Sequence, residues 1–80
     1  MNISVLGPGC KNCHTLKDHT QKALQALGRT EQVESITDPV KIAGHGVMRT
    51  PALMVNGQVV SMGRVLAPQS IVEILKQHAD

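Results

Sequence analysis

The chain has 80 residues, a net charge of +2 and no Phe, Trp or Tyr, while Ala, Val, Ile, Leu, Met and Cys supply 41% of it. Two cysteines are too few for a multi-disulfide secreted scaffold, and no apolar run approaches the roughly 20 residues of a membrane span. Charged residues at 18% exclude the profile of a disordered segment, and basic residues spread along a chain without stacking aromatics argue against nucleic acid as a partner.

The first residues, Met1 to Leu6, carry no basic stretch followed by a signal-type apolar core. A single domain spanning residues 1–80 is therefore expected, monomeric and cytoplasmic, with no membrane association. Ile3, Val5 and Leu6 form a short β-favouring stretch that stops at Gly7-Pro8-Gly9. Cys13, Leu16, Thr20, Ala23, Leu24 and Leu27 then recur at spacings of three and four, which predicts one buried helical face with Gly28 as its stop.

Val33 to Thr37 is a second, weaker strand, interrupted by Glu34. Asp38-Pro39 has the character of an N-cap and first helical residue, opening a short helix over Val40, Ile42 and Ala43 that Gly44 or Gly46 closes. Ala52–Val55 and Gln58–Met62 flank Asn56-Gly57, a strong hairpin signal because a type I′ turn needs positive φ at both central residues. Pro68, then Ile71, Val72, Ile74, Leu75 and Ala79, predict a last amphipathic helix. The order is β-α-β-α-β-β-α: an α/β fold with one right-handed crossover, a hairpin and a mixed sheet covered by helices.

The chemistry concentrates in Cys10-Lys11-Asn12-Cys13, where a strand runs into a helix. A helix N-terminus favours a thiolate, Lys11 adds a nearby cation, and a second thiol one turn on can resolve a mixed disulfide. The helical phase makes Cys10 the exposed attacking sulfur and Cys13 the shielded, resolving one. A structural disulfide across so short a loop would remove little chain entropy. A soft-metal site for Cu(I) or Zn(II) remains open as the alternative use of the pair. Cys10 to His14 also spells a haem-attachment pattern, but that pattern belongs to mostly helical secreted chains.

Thr50-Pro51 precedes the Ala52 strand, where a proline is tolerated at a strand start or bulge. It is either an ordinary trans proline or a cis one held by the fold. Met48, Met54 and Met62 are expected as core fillers. His14 is expected to be solvated, and His19, His45 and His78 to be surface residues. Arg49 either flanks a partner groove or is an ordinary solvated charge.

Together these elements resemble the thioredoxin superfamily, in particular its small redox-active disulfide branch of about 80 residues. The resemblance rests on Gly9 to Cys13 after the first strand, Gly46 to Leu53 leading into the hairpin, Val55 to Val60, and Gly63 before the last helix. It implies a thioredoxin-like fold with a central four-stranded mixed sheet. It further implies a cis Pro51 beside the cysteines, Thr50 offering backbone hydrogen bonds to a substrate chain, and Gly63 keeping the adjacent wall open. The implied activity is thiol–disulfide exchange or electron transfer through Cys10 and Cys13, with Lys11 tuning the thiolate. A protein disulfide would be the substrate, an upstream reductase would restore the dithiol, and no organic cofactor is needed. Departures from the family pattern are Gly9 in place of an aromatic residue, Lys-Asn in place of Gly-Pro, and Gly63-Arg64 in place of the Gly-Asp of glutaredoxins.

Overall fold

Two strands can pair in parallel only if a crossover of a dozen or more residues joins them. In the computed structural model, which describes residues 2–9 and 11–78, that crossover is α1 (Lys11–Ala26), lying between β1 (Ile3–Leu6) and β2 (Val33–Ile36). The parallel register runs from Ile3 with Val33 to Leu6 with Ile36. After α2 (Pro39–Gly44), β3 (Ala52–Val55) returns antiparallel along the other side of β1, with Ile3 opposite Val55 and Leu6 opposite Ala52. A hairpin then places β4 (Gln58–Met62) outside β3, and α3 (Pro68–His78) follows. The result is the expected four-stranded mixed sheet, with its strands in the order β2-β1-β3-β4.

The central strands β1 and β3 are buried along their whole length. Because side chains alternate across a strand, each feeds two cores. Ile3, Val5, Leu53 and Val55 pack with Leu16 and Leu24 of α1 and Ile71 and Leu75 of α3. Leu6, Ala52 and Met54 point the other way and meet Ile42 and Val47.

Local chemistry sets the boundaries. The hairpin turns through Asn56 at φ 53° and Gly57 at φ 81°, the positive pair a type I′ turn demands. Asn56 also clasps the chain start: its amide donates to the Asn2 carbonyl at 2.7 Å, and its Oδ1 accepts from the Asn2 amide at 2.9 Å. β2 ends at Ile36, one residue short of the expected Thr37. There the chain turns into the cap of α2, where Asp38 Oδ1 accepts from the Val40 amide at 2.9 Å. Of the two glycines expected to close α2, Gly46 does so. Its amide donates to Ala43 O at 3.0 Å and the Val47 amide to Ile42 O at 3.3 Å, a Schellman closure whose apolar contact is Val47 on Ile42.

Three expectations are corrected. Met48 and Met62 are not core fillers, being 90% and 44% exposed, whereas Met54 is buried. Both exposed methionines sit where the chain leaves regular structure, so no periodic face draws them inward. His19 is not a free surface residue: it is half-buried, and its Nδ1 lies 2.8 Å from the Leu66 carbonyl. A carbonyl can only accept, so Nδ1 carries the proton and ties α1 to the β4–α3 connection. Ala79, expected on the last helical face, lies outside the described residues.

Candidate functional site

The end of the sheet where β1 runs out toward α1 gathers the residues that the sequence singles out. Cys10 lies outside the described residues, so the site is built from the surroundings of Cys13. Cys13 sits in the first turn of α1, 5% exposed, and is in the disulfide-bonded form. The sequence holds one other cysteine, Cys10. Burial follows the helical phase, since Cys13 continues the stripe of Leu16, Thr20, Ala23 and Leu24. Lys11 opens the helix and is exposed, and no acidic residue occupies the first turn.

Gly7 is the floor of this site. It is buried, and its amide donates to Ile36 O at 2.9 Å, carrying the contact between β1 and β2 one step past the strand end. A Cβ on Gly7 would overlap Cys13 Sγ, and would lie 3.3 Å from Cys13 Cβ and 3.7 Å from Thr50 Cβ. The φ of Gly7 is not in the left-handed region, so its backbone would suit any residue. What no side chain can do is share that space with the sulfur. Gly7 therefore marks where the buried sulfur, the end of β1 and Thr50 converge.

The Thr50–Pro51 peptide bond is cis, with Pro51 buried and Thr50 exposed. The paired register of β1 and β3 ends at Leu6 with Ala52, so Thr50 lies beyond the last rung, its backbone outside that ladder. Pro51 O accepts from the Gly63 amide at 2.9 Å, which draws Gly63 to the same edge. The wall at Gly63 is not simply open. A Cβ there would sit 3.2 Å from both Cβ and Cδ of Arg49, so the Arg49 stem lies across the bare glycine while the residue as a whole is exposed.

Thr50 also borders an apolar groove of about 300 Å³, which Pro8, Pro39, Ile42, Val47 and Met48 line with it. A larger hollow of about 440 Å³ lies at the other end of α1, among Gln21, Gln25, Arg29, Thr30 and Glu31. It is about 18 Å along the helix from Cys13 at 1.5 Å per residue and contains no thiol, so size does not identify the functional end. There Arg29 Nε donates to Glu31 Oε2 at 2.7 Å, and this hydrogen bond holds the Glu31 carboxyl below its ordinary value of 4.5.

Of the residues expected to act, Cys13, Thr50, Pro51 and Gly63 are thus brought to one end of the sheet, and Lys11 starts the helix that carries Cys13. The sequence alone did not reveal the steric role of Gly7 or the groove. Val47-Met48, an apolar pair after the Gly46 closure and outside any periodic element, was the available signal for the groove. Among the described residues no cluster of three or more His, Cys, Asp or Glu could hold a metal ion, and no helix is long and apolar enough to cross a membrane.

Comparison with known proteins agrees with this geometry. The sequence profile of the thioredoxin domain matches residues 1–76. A thioredoxin from Methanothermobacter thermautotrophicus is 35% identical over 75 residues, covering 94% of this chain and 97% of its own length. A thioredoxin from Methanocaldococcus jannaschii is 28% identical over 78 residues, covering 98% of this chain and 90% of its own.

Proposed function

Because this chain belongs to the thioredoxin domain family and its role is thiol–disulfide redox, we propose that Cys10 and Cys13 are the exchanging pair and that protein disulfides are reduced through them. Thioredoxins act on protein disulfides, with a reductase upstream. In the reduced chain, the Cys10 thiolate attacks one sulfur of the partner disulfide. That S–S bond breaks, a Cys10–partner disulfide forms, and the other partner sulfur leaves as a thiolate that takes up a proton. Cys13 then loses its proton and attacks Cys10, forming the intrachain disulfide and releasing the second partner thiol. Two electrons pass to the partner, and the reductase returns two to the chain.

Lys11 and the start of α1 favour the Cys10 thiolate. Thr50 and Pro51 form the docking edge, because the Thr50 backbone lies past the last β1–β3 rung and can pair with an extended partner segment. The chain works as a monomer in the cytoplasm. The observation that carries this reading is the convergence at Gly7, where the Cys13 sulfur fills the space a side chain would take and Thr50 lies at ordinary contact distance from that space.

The test is a single turnover of the reduced chain with a disulfide-linked peptide, followed by intact-mass analysis. Cys13→Ser is expected to accumulate one peptide adduct on Cys10, and Cys10→Ser none. Equal adducts on the two variants would overturn the division of roles. Retention of one Cu(I) or Zn(II) per chain through gel filtration, with no turnover, would replace exchange by soft-metal carriage.

A further inference from the structure

We propose that Arg49 is a specificity-determining residue, selecting partner segments that carry Asp or Glu beside the reactive cysteine. The inference deepens the thiol–disulfide reading above and rests on it.

The first support is placement. Thr50, the docking residue, has two unlike neighbours. One is the apolar groove that includes Met48; the other is Arg49, whose stem lies across Gly63. Gly63 is itself fixed by its hydrogen bond to Pro51 O. A stem held against backbone surrenders little further freedom when its guanidinium engages a partner, which removes part of the entropy cost that weakens exposed ion pairs.

The second support is the distribution of charge. The acidic residues are Asp18, Glu31, Glu34, Asp38, Glu73 and Asp80. None lies in the stretches Gly7–Lys17 or Lys41–Val72, which carry Lys11, Lys17, Lys41, Arg49 and Arg64. Two of the acids are engaged with Lys22 and Arg29, and Asp38, next to the groove residue Pro39, caps the Val40 amide. The segments that build the docking edge therefore hold cations without carboxylates of their own. An acidic partner segment supplies the missing sign, and a basic one is repelled. Arginine suits this task because its planar fork receives a carboxylate through two parallel hydrogen bonds.

The experiment uses the full chain, reduced and desalted, and three peptides sharing one intrapeptide disulfide. Their flanking residue is Glu, Gln or Lys. Each reduction rate is divided by the rate at which dithiothreitol reduces the same peptide, which removes intrinsic reactivity. At an ionic strength of about 0.02 M the Glu peptide is expected to react about threefold to tenfold faster than the Lys peptide, and at about 0.5 M the ratio falls toward one. Arg49→Glu is expected to reverse the ratio and Arg49→Lys to keep most of it. A wild-type ratio near one, a preference for Lys, or a ratio unmoved by Arg49→Glu would overturn the proposal while leaving disulfide exchange intact. Failure to reduce any of the three peptides would overturn the exchange reading and this inference with it.

Discussion

On one face of the sheet, α1 and α3 close over a cluster that includes Leu16, Leu24, Leu53, Val55, Ile71 and Leu75, each at most 2% exposed. On the other, among the described residues, the six-residue α2 and the segment after it supply Ile42 and Val47 over Leu6, Ala52 and Met54, with Ile36 and Val59 packed alongside, and Val40 and Met48 remain 78% and 90% exposed. One strand, β3, supplies both faces by simple alternation. The contrast separates two tasks: the thick face holds the fold together, and the thin face leaves apolar surface beside Thr50, where the proposed partner would dock. A chain without aromatic residues fills its thick face with Leu, Ile and Val, and leaves Met48 exposed beside the thin one.

Neighbouring substitutions in β3 test that separation most strongly. Leu53→Ala removes a side chain enclosed by both long helices and is expected to cost about 3–4 kcal/mol. Met54→Ala faces the thin side, where α2 can settle inward, and is expected to cost about 2 kcal/mol. Urea unfolding of the two variants checks the order; equal costs would mean that the faces are equally consolidated.

Gly7→Ala is the next largest. It forces a methyl against the Cys13 sulfur, at a cost of about 1–3 kcal/mol for overpacking, and is expected to slow disulfide exchange as well. Substitution of Gly9, whose φ of 90° strains any side chain but whose Cβ would meet open space, leaves the sulfur unobstructed. A Gly7→Ala chain with unchanged unfolding and exchange rate would refute the steric account.

Asp38→Ala removes the cap of α2 and is expected to cost about 1 kcal/mol. Because the thin face depends on that helix, amide exchange should rise in Pro39–Val47 before it rises in α3.

The smallest effect belongs to Glu31. Its carboxyl is lowered by the Arg29 hydrogen bond, so the stabilisation is present above the unfolded value and is lost as pH falls through the folded one. Glu31→Gln is expected to flatten slightly the acid side of a thermal-stability profile, with no change near neutral pH in disulfide exchange at the opposite end of α1.

Much of this was legible in the sequence because it is local. The Asn56-Gly57 turn, the Asp38-Pro39 cap and the three- and four-residue spacing from Cys13 to Leu24 each involve neighbours in the chain. What stayed hidden depends on distant partners. Gly7 looks like an ordinary turn residue until Cys13 and Thr50 fold against it. His19 looks solvent-facing because Leu66, the carbonyl it binds, is 47 residues away. Arg49 likewise looks like an isolated charge until Gly63 folds beneath its stem. Met48 and Met62 lie outside the core because apolar character alone does not say which side chains the fold will cover.

The central claim, that the partner docks on the Thr50 edge and the thin face, is tested by NMR. The Cys13→Ser chain carrying a Glu-flanked peptide in mixed disulfide with Cys10 is compared with the free variant, amide by amide. The account predicts shift changes concentrated at Gly7–Gly9, Val47–Thr50 and Gly63, with α3 and the Gln21–Gln32 end unmoved. Changes centred on Gln21–Gln32, or spread along the thick face, would contradict it.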